Sequence, residues 1–415
     1  MAQRRSRLNY LIILSFLAAS GLGVWLWWRL LAPLPAPMRL TPSPFRALPG
    51  WAQSDPSPAL VAFGRSCVQL AKKPASAEMS GAGYAGTVGD WQRLCRVIPA
   101  GPVSRAMAQH WFETWFSPAV IGAGSSQKGL FTGYYEPELR ASRTKHGPYR
   151  TPIYGLPADL VTVDLGLFRP DLHQEHIAGR LAGHDLIPYP SRAEIDAKGL
   201  KTAPVLFWAE DPVAVFFLHI QGSGRALFDD GSTARIAYAA QNGRPYTAIG
   251  HTLIAEGAIP RDAVSLQSIR RWLDAHPRDA RHVMETNASY VFFRETPLGD
   301  PQLGSVGSEG VDLTPGASLA VDPRLHPLGV PFFVAATRPD PDATKPDVPL
   351  RPLLIAQDTG GAIRGAVRGD VFWGFGSDAQ AIAGRMKADG RLFVLLPKAV
   401  AARLGAGKEF PVAGK

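Results

Sequence analysis

The sequence predicts a mainly β fold with flanking helices, and three observations support this. The chain has 415 residues, 46% of them hydrophobic, which is enough for one large core or two medium ones. Its 42 glycines and 37 prolines are spread along the chain, as is typical of a fold with many turns. Most apolar runs after residue 128 are short and rich in β-branched or aromatic residues, which favours strands over helices.

The first 32 residues predict a membrane segment. Arg4, Arg5 and Arg7 precede a stretch without charge, residues 8–28, which is long enough to span a bilayer. We expect an uncleaved anchor, and the alternative is a signal peptide cleaved near "LAASG". In either case the positive-inside rule places the rest of the chain outside the cytoplasm.

Helical spacing follows the membrane segment. Residues 33–55 are rich in proline and predict an extended linker, and from 56 to 116 apolar residues recur at helical spacing. Cys67 and Cys95 lie in two of these helical stretches. In an oxidising compartment we expect them to form a disulfide between two helices, with two buried free thiols as the alternative. A metal site is not expected because no histidine lies nearby at ligand spacing.

Strands dominate the rest of the chain, with some helices between them. Strand-like runs extend from "GLFTGYYEPELRAS" to "ARIAYAAQNG", and "DDGS" at 229–232 predicts a hairpin turn. Helices are predicted at "PSRAEIDAKGL", which begins with a capping box, and at "YTAIGHTLIAEGAI" and "SLQSIRRWLDAHP". The last third, from "ASYVFFRE" to "GRLFVLLPK", again predicts strands.

The charge distribution argues against nucleic-acid binding. The net charge is +9, but four arginines belong to the predicted membrane segment, and the other basic residues are dispersed. A phosphate backbone requires a dense basic stripe, which this sequence lacks. An anionic polymer outside the membrane remains compatible with the charge.

Three aspartates in predicted turns are the candidate functional residues. They are Asp322 in "AVDPRLHPLG", Asp358 in "AQDTGGAIRG" and Asp370 in "GDVFWGFG". Taken singly, each is most simply a turn-capping residue. The "DTG" at Asp358 suggests an aspartic protease, but that mechanism needs a second such loop to share a proton, and the chain has only one.

Taken together, the three motifs resemble the three-aspartate (3D) module of double-psi β-barrels. With "GLFTGYYEPEL", "FFLHIQGSG", "NGRPYTAIG" and "NASYVFF", the pattern is similar to the membrane-bound lytic murein transglycosylase A (MltA) family over about residues 131–398. The resemblance implies cleavage of the β-1,4 bond between N-acetylmuramic acid and N-acetylglucosamine, with a 1,6-anhydromuramyl product. A murein glycan hydrolase and a non-catalytic glycan-binding protein on the same fold are the alternatives.

The resemblance also implies a set of site residues, without metal or cofactor. Asp370 matches the catalytic position, and Asp358 and Asp322 are auxiliary. Apolar neighbours in "VFWGF" are expected to raise the pKa of Asp370, whereas backbone N–H groups of the Thr-Gly-Gly turn are expected to stabilise ionised Asp358. The implied substrate-binding residues are Thr132, Tyr134, Tyr135, Glu136, Gln221, Gly222, Ser223, Gly224 and Trp373. For the tyrosines and Trp373, core packing is the alternative.

The domain organisation and location follow from the same resemblance. A substrate groove is expected between a barrel domain and a second, barrel-like β domain inserted into it. The predicted division is a membrane segment at 1–32, a linker at 33–55, a helical and double-psi barrel domain at 56–136 and 291–400, an inserted β-rich domain at 137–290 and a tail at 401–415. The expected partners are peptidoglycan strands and, through the first segment, the membrane; cell-wall synthesis or division proteins are not identified. The expected location is the periplasmic face of the inner membrane, or the periplasm or outer membrane after cleavage.

Overall fold

The computed structural model describes residues 36–172, 175–405 and 408–410. The predicted membrane segment at 1–32 and parts of the predicted linker and tail lie outside the described residues. Within these ranges, no helix combines the length and the apolar character needed to cross a membrane.

Strands outnumber helices in the described ranges, as the sequence predicts. The strands are β1 Met38–Pro42, β2 Phe116–Ala123, β3 Gly129–Glu136, β4 Glu138–Ser142, β5 Thr151–Tyr154, β6 Val161–Asp164, β7 His176–Ala182, β8 Asp185–Pro188, β9 Val205–Ala209, β10 Gly224–Phe228, β11 Thr233–Gln241, β12 Val291–Thr296, β13 Ser318–Val321, β14 Pro331–Arg338, β15 Val348–Leu350, β16 Leu353–Thr359, β17 Arg368–Phe375, β18 Lys387–Pro397 and β19 Glu409–Phe410. The helices are α1 Ser57–Leu70, α2 Val88–Cys95, α3 Arg105–Trp115, α4 Arg192–Lys198, α5 Pro212–Gln221, α6 Ile249–Ala255, α7 Leu266–Ala275, α8 Pro277–Glu285, α9 Gly376–Ala383 and α10 Lys398–Leu404.

The largest sheet closes into a barrel. Its order is β15-β14-β16-β13-β17-β3-β18-β2-β1-β19, and β14 also pairs with β18. The second pairing closes a ring of six strands, β14-β16-β13-β17-β3-β18, in which β13 runs parallel to β16 and β17 parallel to β3. The barrel interior and the layer under the helices are both apolar, which explains why β16 begins as an unbroken buried run. These features confirm the predicted double-psi β-barrel.

The first three helices pack on this barrel through aromatic side chains. Phe63 of α1 lies 6.2 Å from Trp91 of α2 and 5.7 Å from Trp111 of α3, measured between ring centroids. Cys67 of α1 and Cys95 of α2 form a disulfide. The bond closes a loop of 28 residues, and so it limits the conformations open to the unfolded chain.

We expect the double variant Cys67→Ser, Cys95→Ser to unfold with about 3 kcal/mol less free energy than the wild type, from the entropy of a loop of that length. Urea unfolding followed by circular dichroism measures the difference. Wild-type protein in reducing agent serves as the control and should lose a similar amount. A loss below about 1 kcal/mol in both samples would contradict the stabilising role.

A second β unit comes from the middle of the chain. Its six-stranded sheet has the order β12-β11-β10-β4-β9-β5. The strands β6, β7 and β8, which lie between β5 and β9 in the sequence, form a separate three-stranded sheet. All of these strands fall between Glu138 and Thr296. One core cluster lies around the larger sheet, and another lies between α5 and helices α6 to α8. The boundaries predicted for the inserted domain, 137 and 290, stay a prediction.

One apolar run was predicted as strand and is a helix. The stretch from Pro212 to Gln221 forms α5, because the Asp211 carboxylate accepts hydrogen bonds from the backbone of Val213 and Ala214 at 2.8 and 3.2 Å. Pro212 occupies the first turn, and Gly222 ends the helix at φ 79°. The "HIQGSG" motif therefore lies at a helix end that leads into β10, and not along a strand.

Candidate active site

The barrel places two of the three aspartates at the same level of the two strands that flank β13. Ala320 of β13 pairs with Asp358 of β16 on one side and with Asp370 of β17 on the other. Since adjacent strands lie about 4.8 Å apart, the two aspartate Cα atoms are roughly 10 Å apart across the sheet. Both side chains line one cavity of about 390 Å³.

This cavity lies between the barrel and the second β unit. The barrel contributes Thr132, Tyr134, Asp358, Arg368 and Asp370. The opposite wall contains Gln221 and Gly222 from the end of α5, Tyr238 and Gln241 of β11, and Tyr246. The predicted groove between a barrel and a second β unit is thus present, with the two acids on the barrel side.

Asp370 is held by Thr132, its register partner on β3. The Thr132 hydroxyl donates to Asp370 Oδ1 at 2.6 Å. Burial raises the pKa of Asp370 above its ordinary value; the hydrogen bond from Thr132 and the Arg368 cation oppose this rise, and the charge of Asp358 adds to it. The net effect favours the protonated acid, as the sequence predicts.

A three-member chain of hydrogen bonds ends on one oxygen of Asp370. Arg368 Nη2 donates to Thr132 Oγ1 at 2.8 Å. A guanidinium can only donate, so Thr132 Oγ1 accepts here and gives its single hydrogen to Asp370 Oδ1. Oδ1 accepts this hydrogen bond, and Oδ2 makes no hydrogen bond to another described residue, so Oδ2 is the oxygen free to face a substrate.

Asp358 is surrounded by donors. The Tyr134 hydroxyl donates to Oδ2 at 2.9 Å, while Ser308 donates to Oδ1 from its backbone N at 3.0 Å and from its hydroxyl at 2.8 Å. Burial, together with the charge of Asp358, holds the pKa of Tyr134 well above its usual range, so this hydroxyl remains a donor. These donors suit a carboxylate ion. They come from β3 and a distant loop, whereas the sequence suggested the Thr-Gly-Gly turn.

Asp322 does not join the other two acids. Its side chain is fully buried and accepts from Arg324 Nη2 at 2.8 Å and from the backbone N of Gly365 at 2.8 Å. Burial alone would raise the pKa of Asp322, but these hydrogen bonds bring it below its ordinary value. It does not line the cavity, and it holds the loop that leads into β17.

Glu136 occupies a structural position and does not line the cavity between the sheets. Its carboxylate is fully buried, 3.2 Å from Arg225 Nε of β10, and it accepts from the backbone N of Ser305 at 2.5 Å. A second guanidinium, that of Arg235, lies 4.0 Å away. This network ties the end of β3 to the second sheet, which is a different role from the predicted contact with substrate.

The remaining residues predicted to bind substrate fall into two groups, those that line the cavity and those that do not. Gln221 and Gly222 line the cavity, and Gln221 Oε1 accepts from the backbone N of Tyr135 at 3.2 Å. Tyr135, Ser223 and Gly224 do not line it. Gly224 is required by packing, because a Cβ at this position would lie 2.7 Å from the Pro137 carbonyl oxygen. Burial raises the pKa of Tyr135 to about 12, consistent with an interior position.

Trp373 also lies away from the cavity. A Cβ added at Gly133 would lie 2.5 Å from the Trp373 indole nitrogen, so the ring packs directly on the β3 backbone. Ala379 and Ala383 of α9 cover the same cluster. This placement fits the core-packing alternative and gives no support to a role in sugar stacking.

Several cavity residues were not predicted from the sequence. Arg368 had a usable signal, because residues two apart on a strand share a face and Asp370 follows it at that distance. Tyr238 and Tyr246 are 44% and 45% exposed and offer flat apolar faces to a ligand. Ser308 had no signal, since its contact with Asp358 spans 50 residues.

The site shows no metal-binding arrangement. Among the described residues, no group of three or more His, Cys, Asp or Glu side chains is placed to hold a metal ion. The chemistry available in the cavity is that of carboxyl, hydroxyl, amide and guanidinium groups.

A closed six-stranded barrel that places two aspartates in one cavity, opposite a second β unit, defines the three-aspartate barrel class. Residues 130–294 match the MltA specific insert domain, and residues 317–396 match the 3D domain. The membrane-bound lytic murein transglycosylase A of Escherichia coli strain K12 is 32% identical over 301 residues, 72% of this chain and 73% of that protein. The chain belongs to the membrane-bound lytic murein transglycosylase A family, as the motif resemblance predicts.

Solved structures agree with this family. The membrane-bound lytic murein transglycosylase from Agrobacterium tumefaciens is 34% identical, with a TM-score of 0.75, and the match covers 88% of this chain and 99% of that one. MltA from Neisseria gonorrhoeae is 32% identical, with a TM-score of 0.72 over 92% and 97% of the two chains. The protein is therefore an enzyme, a lytic murein transglycosylase.

Proposed function

We propose that the protein cleaves the β-1,4 bond between N-acetylmuramic acid and N-acetylglucosamine in peptidoglycan, with Asp370 as the only acid and base. The observation that carries this is the cavity between the two β units, where one carboxyl has a raised pKa and the other is held by three hydrogen bonds. The names of the relatives support the substrate, since they are lytic murein transglycosylases.

The proposed reaction needs one carboxyl because the sugar supplies its own nucleophile. Asp370 Oδ2 gives its proton to the glycosidic oxygen as the bond from that oxygen to C1 breaks. The resulting carboxylate takes the proton of the C6 hydroxyl, whose oxygen bonds to C1 and closes the 1,6-anhydro ring. Atoms balance without water, and the substrate's N-acetyl group can hold C1 between the two steps. Two-carboxylate glycosidases instead bring in a water molecule.

Asp358 then has an electrostatic role. Its negative charge raises the pKa of Asp370 and so favours the protonated form of this acid. Its own oxygens are engaged by Tyr134 and Ser308. Tyr238, Tyr246 and Gln221 on the opposite wall are suited to hold sugar rings by stacking and hydrogen bonding.

We expect Asp358→Asn to shift the alkaline limb of the pH profile of kcat/KM to lower pH. Removing the negative charge lowers the pKa of Asp370, so the acid loses its proton earlier as the pH rises. Initial rates of soluble muropeptide release between pH 4 and pH 9 measure the limb. Asp389→Asn, at an exposed position on β18, is the matched control and should leave it unchanged. An unchanged or raised limb in Asp358→Asn would contradict the role of this charge.

The direct test of the function is digestion of purified murein sacculi by the full chain in detergent. Release of muropeptides that end in 1,6-anhydromuramic acid is the expected result. Products with ordinary reducing ends would support the hydrolase alternative. Binding of sacculi without any release would support the non-catalytic alternative.

We also propose the location and domain division expected from the sequence. Residues 1–32 would anchor the chain in the inner membrane with the enzyme in the periplasm. The names of the membrane-bound relatives fit such a location. Residues 137–290 would form the inserted domain, although β12 at Val291–Thr296 lies beyond this boundary and pairs with β11 in the six-stranded sheet.

A further inference from the structure

A turn before the catalytic strand is held by two buried side chains. Its residue Gly365 has a φ of 113°, and β17, which carries Asp370, begins three residues later. Asp322 accepts from the backbone N of Gly365 at 2.8 Å, and His326 Nε2 lies 2.8 Å from the carbonyl oxygen of Ala366. Because glycine is the residue with the most conformational freedom, two anchors at this point restrict how the chain enters the strand.

His326 is held in one tautomer. Burial lowers the pKa of His326 to about 4, against the opposing effects of Ala366 and Asp322, so the ring is neutral near pH 7 and has a single N–H. A carbonyl oxygen can only accept, so Nε2 has the hydrogen and donates it to Ala366. Nδ1 then accepts from the Tyr84 hydroxyl at 2.9 Å. Burial raises the pKa of Tyr84 well above its usual range, so its hydroxyl remains a donor.

The link from Tyr84 to the start of β17 lies inside the protein. Tyr84, Asp322 and His326 are fully buried, so none of them can replace a lost partner with bulk water. The carbonyl oxygen of Leu325 also accepts from the backbone N of Ala82 at 3.1 Å. The segment before α2 is thus joined to the 322–326 turn, and that turn is joined to the chain that enters β17.

A displacement at this entrance acts on Asp370. The carbonyl oxygen of Val367 lies so close to β3 that a Cβ at Gly129 would be 1.7 Å from it. A shift at Ala366 is therefore transmitted along the strand. Asp370 needs an exact position, because it pairs with Thr132 and accepts from its hydroxyl at 2.6 Å. A misplacement of about 1 Å at a reacting group can lower a rate about 10²-fold.

The geometry points to His326 as a positioning residue that sets the place and burial of the Asp370 carboxyl, an inference that rests on the proposed function. It acts through Ala366 and is itself held in place by Tyr84. His326 does not line the catalytic cavity, so it has no contact with the substrate. Loss of its hydrogen bond should change the rate and the pKa of Asp370 while leaving sugar binding unchanged.

The first test is His326→Leu in the full chain in detergent, because leucine is apolar and has no donor. We expect kcat for muropeptide release from soluble murein strands to fall about 100-fold, with KM within about 2-fold of the wild type. Looser packing of β17 exposes Asp370 and lowers its pKa, so the alkaline limb of kcat/KM should move down by about 0.5 to 1 pH unit. His326→Gln keeps a side-chain N–H donor and should recover part of both losses.

Tyr84→Phe tests the same link with a smaller change, since it removes only a hydroxyl group. We expect kcat about 10-fold below the wild type and a limb that moves in the same direction. Tyr189→Phe is the matched control, because Tyr189 is also buried and its hydroxyl donates to Asp159 at 2.8 Å in the second β unit. It should keep the wild-type kcat and limb.

Wild-type kcat and alkaline limb in a folded His326→Leu protein would overturn the inference and leave this residue a purely structural role. If that variant does not fold in a circular-dichroism melt, the same result in Tyr84→Phe would overturn it. NMR titration of ¹³C-labelled aspartate measures the pKa of Asp370 directly, whichever group performs the chemistry. A failure of the proposed function would instead show as an active Asp370→Asn variant in the murein digest.

Discussion

Asp370→Asn is expected to lower the release of anhydromuropeptides at least about 1,000-fold, since positioned acid–base catalysis contributes 10²- to 10⁴-fold and here one group serves both steps. Asparagine keeps the shape and can still accept from Thr132, but it has no acidic proton to give to the leaving oxygen. Chromatography of muropeptides released from purified sacculi measures the rate. KM should change little, because sugar binding rests on the walls of the cavity.

Asp389→Asn serves again as the control, with the same chemical change at an exposed position on β18. It should keep the wild-type rate. Both variants should unfold at the wild-type temperature to within about 2 °C, so that a loss of activity reports chemistry. Near-normal release by Asp370→Asn would remove this residue from the mechanism.

Glu136→Gln is expected to cost about 3 to 5 kcal/mol of unfolding free energy, the usual effect of breaking a buried ion pair by removing one partner. The variant leaves Arg225, which lies 3.2 Å from the carboxylate, and the nearby Arg235 buried without their counter-charge. It also weakens the acceptor for the Ser305 backbone N. Urea unfolding of the wild type and the variant measures the difference.

Glu138→Gln is the control for this prediction, because Glu138 lies two residues away with an exposed side chain. Its unfolding free energy should match that of the wild type within about 0.5 kcal/mol. If Glu136→Gln were as stable as Glu138→Gln, the ion pair would have no structural role. The predicted contact of Glu136 with substrate would then be favoured again.

Local signals were enough to predict much of the fold. The helical spacing before the barrel correctly predicted α1, and the capping box at Ser191 correctly predicted α4. The periodic run "SLQSIRRWLDAHP" correctly predicted α7. The error at α5 has a physical cause: nearly every face of this helix is buried, so its sequence is apolar throughout and shows no period. Its cap at Asp211 and the glycine at its end were the available signals.

The site was only partly accessible to sequence reasoning. The motifs brought out Asp358 and Asp370, and the neighbours of Asp370 gave the correct direction for its pKa. The buried partner of Glu136 is 89 residues away in the chain, and that of Asp358 in the 304–310 loop is 50 away. Such contacts exist only after the two β units have folded, so no local pattern could separate Glu136, a structural acid, from those in the cavity.

Digestion of murein in H₂¹⁸O shows most directly whether water enters the reaction, and we expect that none does. Mass spectrometry of the released muropeptides should show muramic acid ends one water lighter than hydrolysed ends and without ¹⁸O. A muramidase run in parallel provides the hydrolysed reference. Incorporation of ¹⁸O at the new muramic acid ends would contradict the account and show that the cavity activates water.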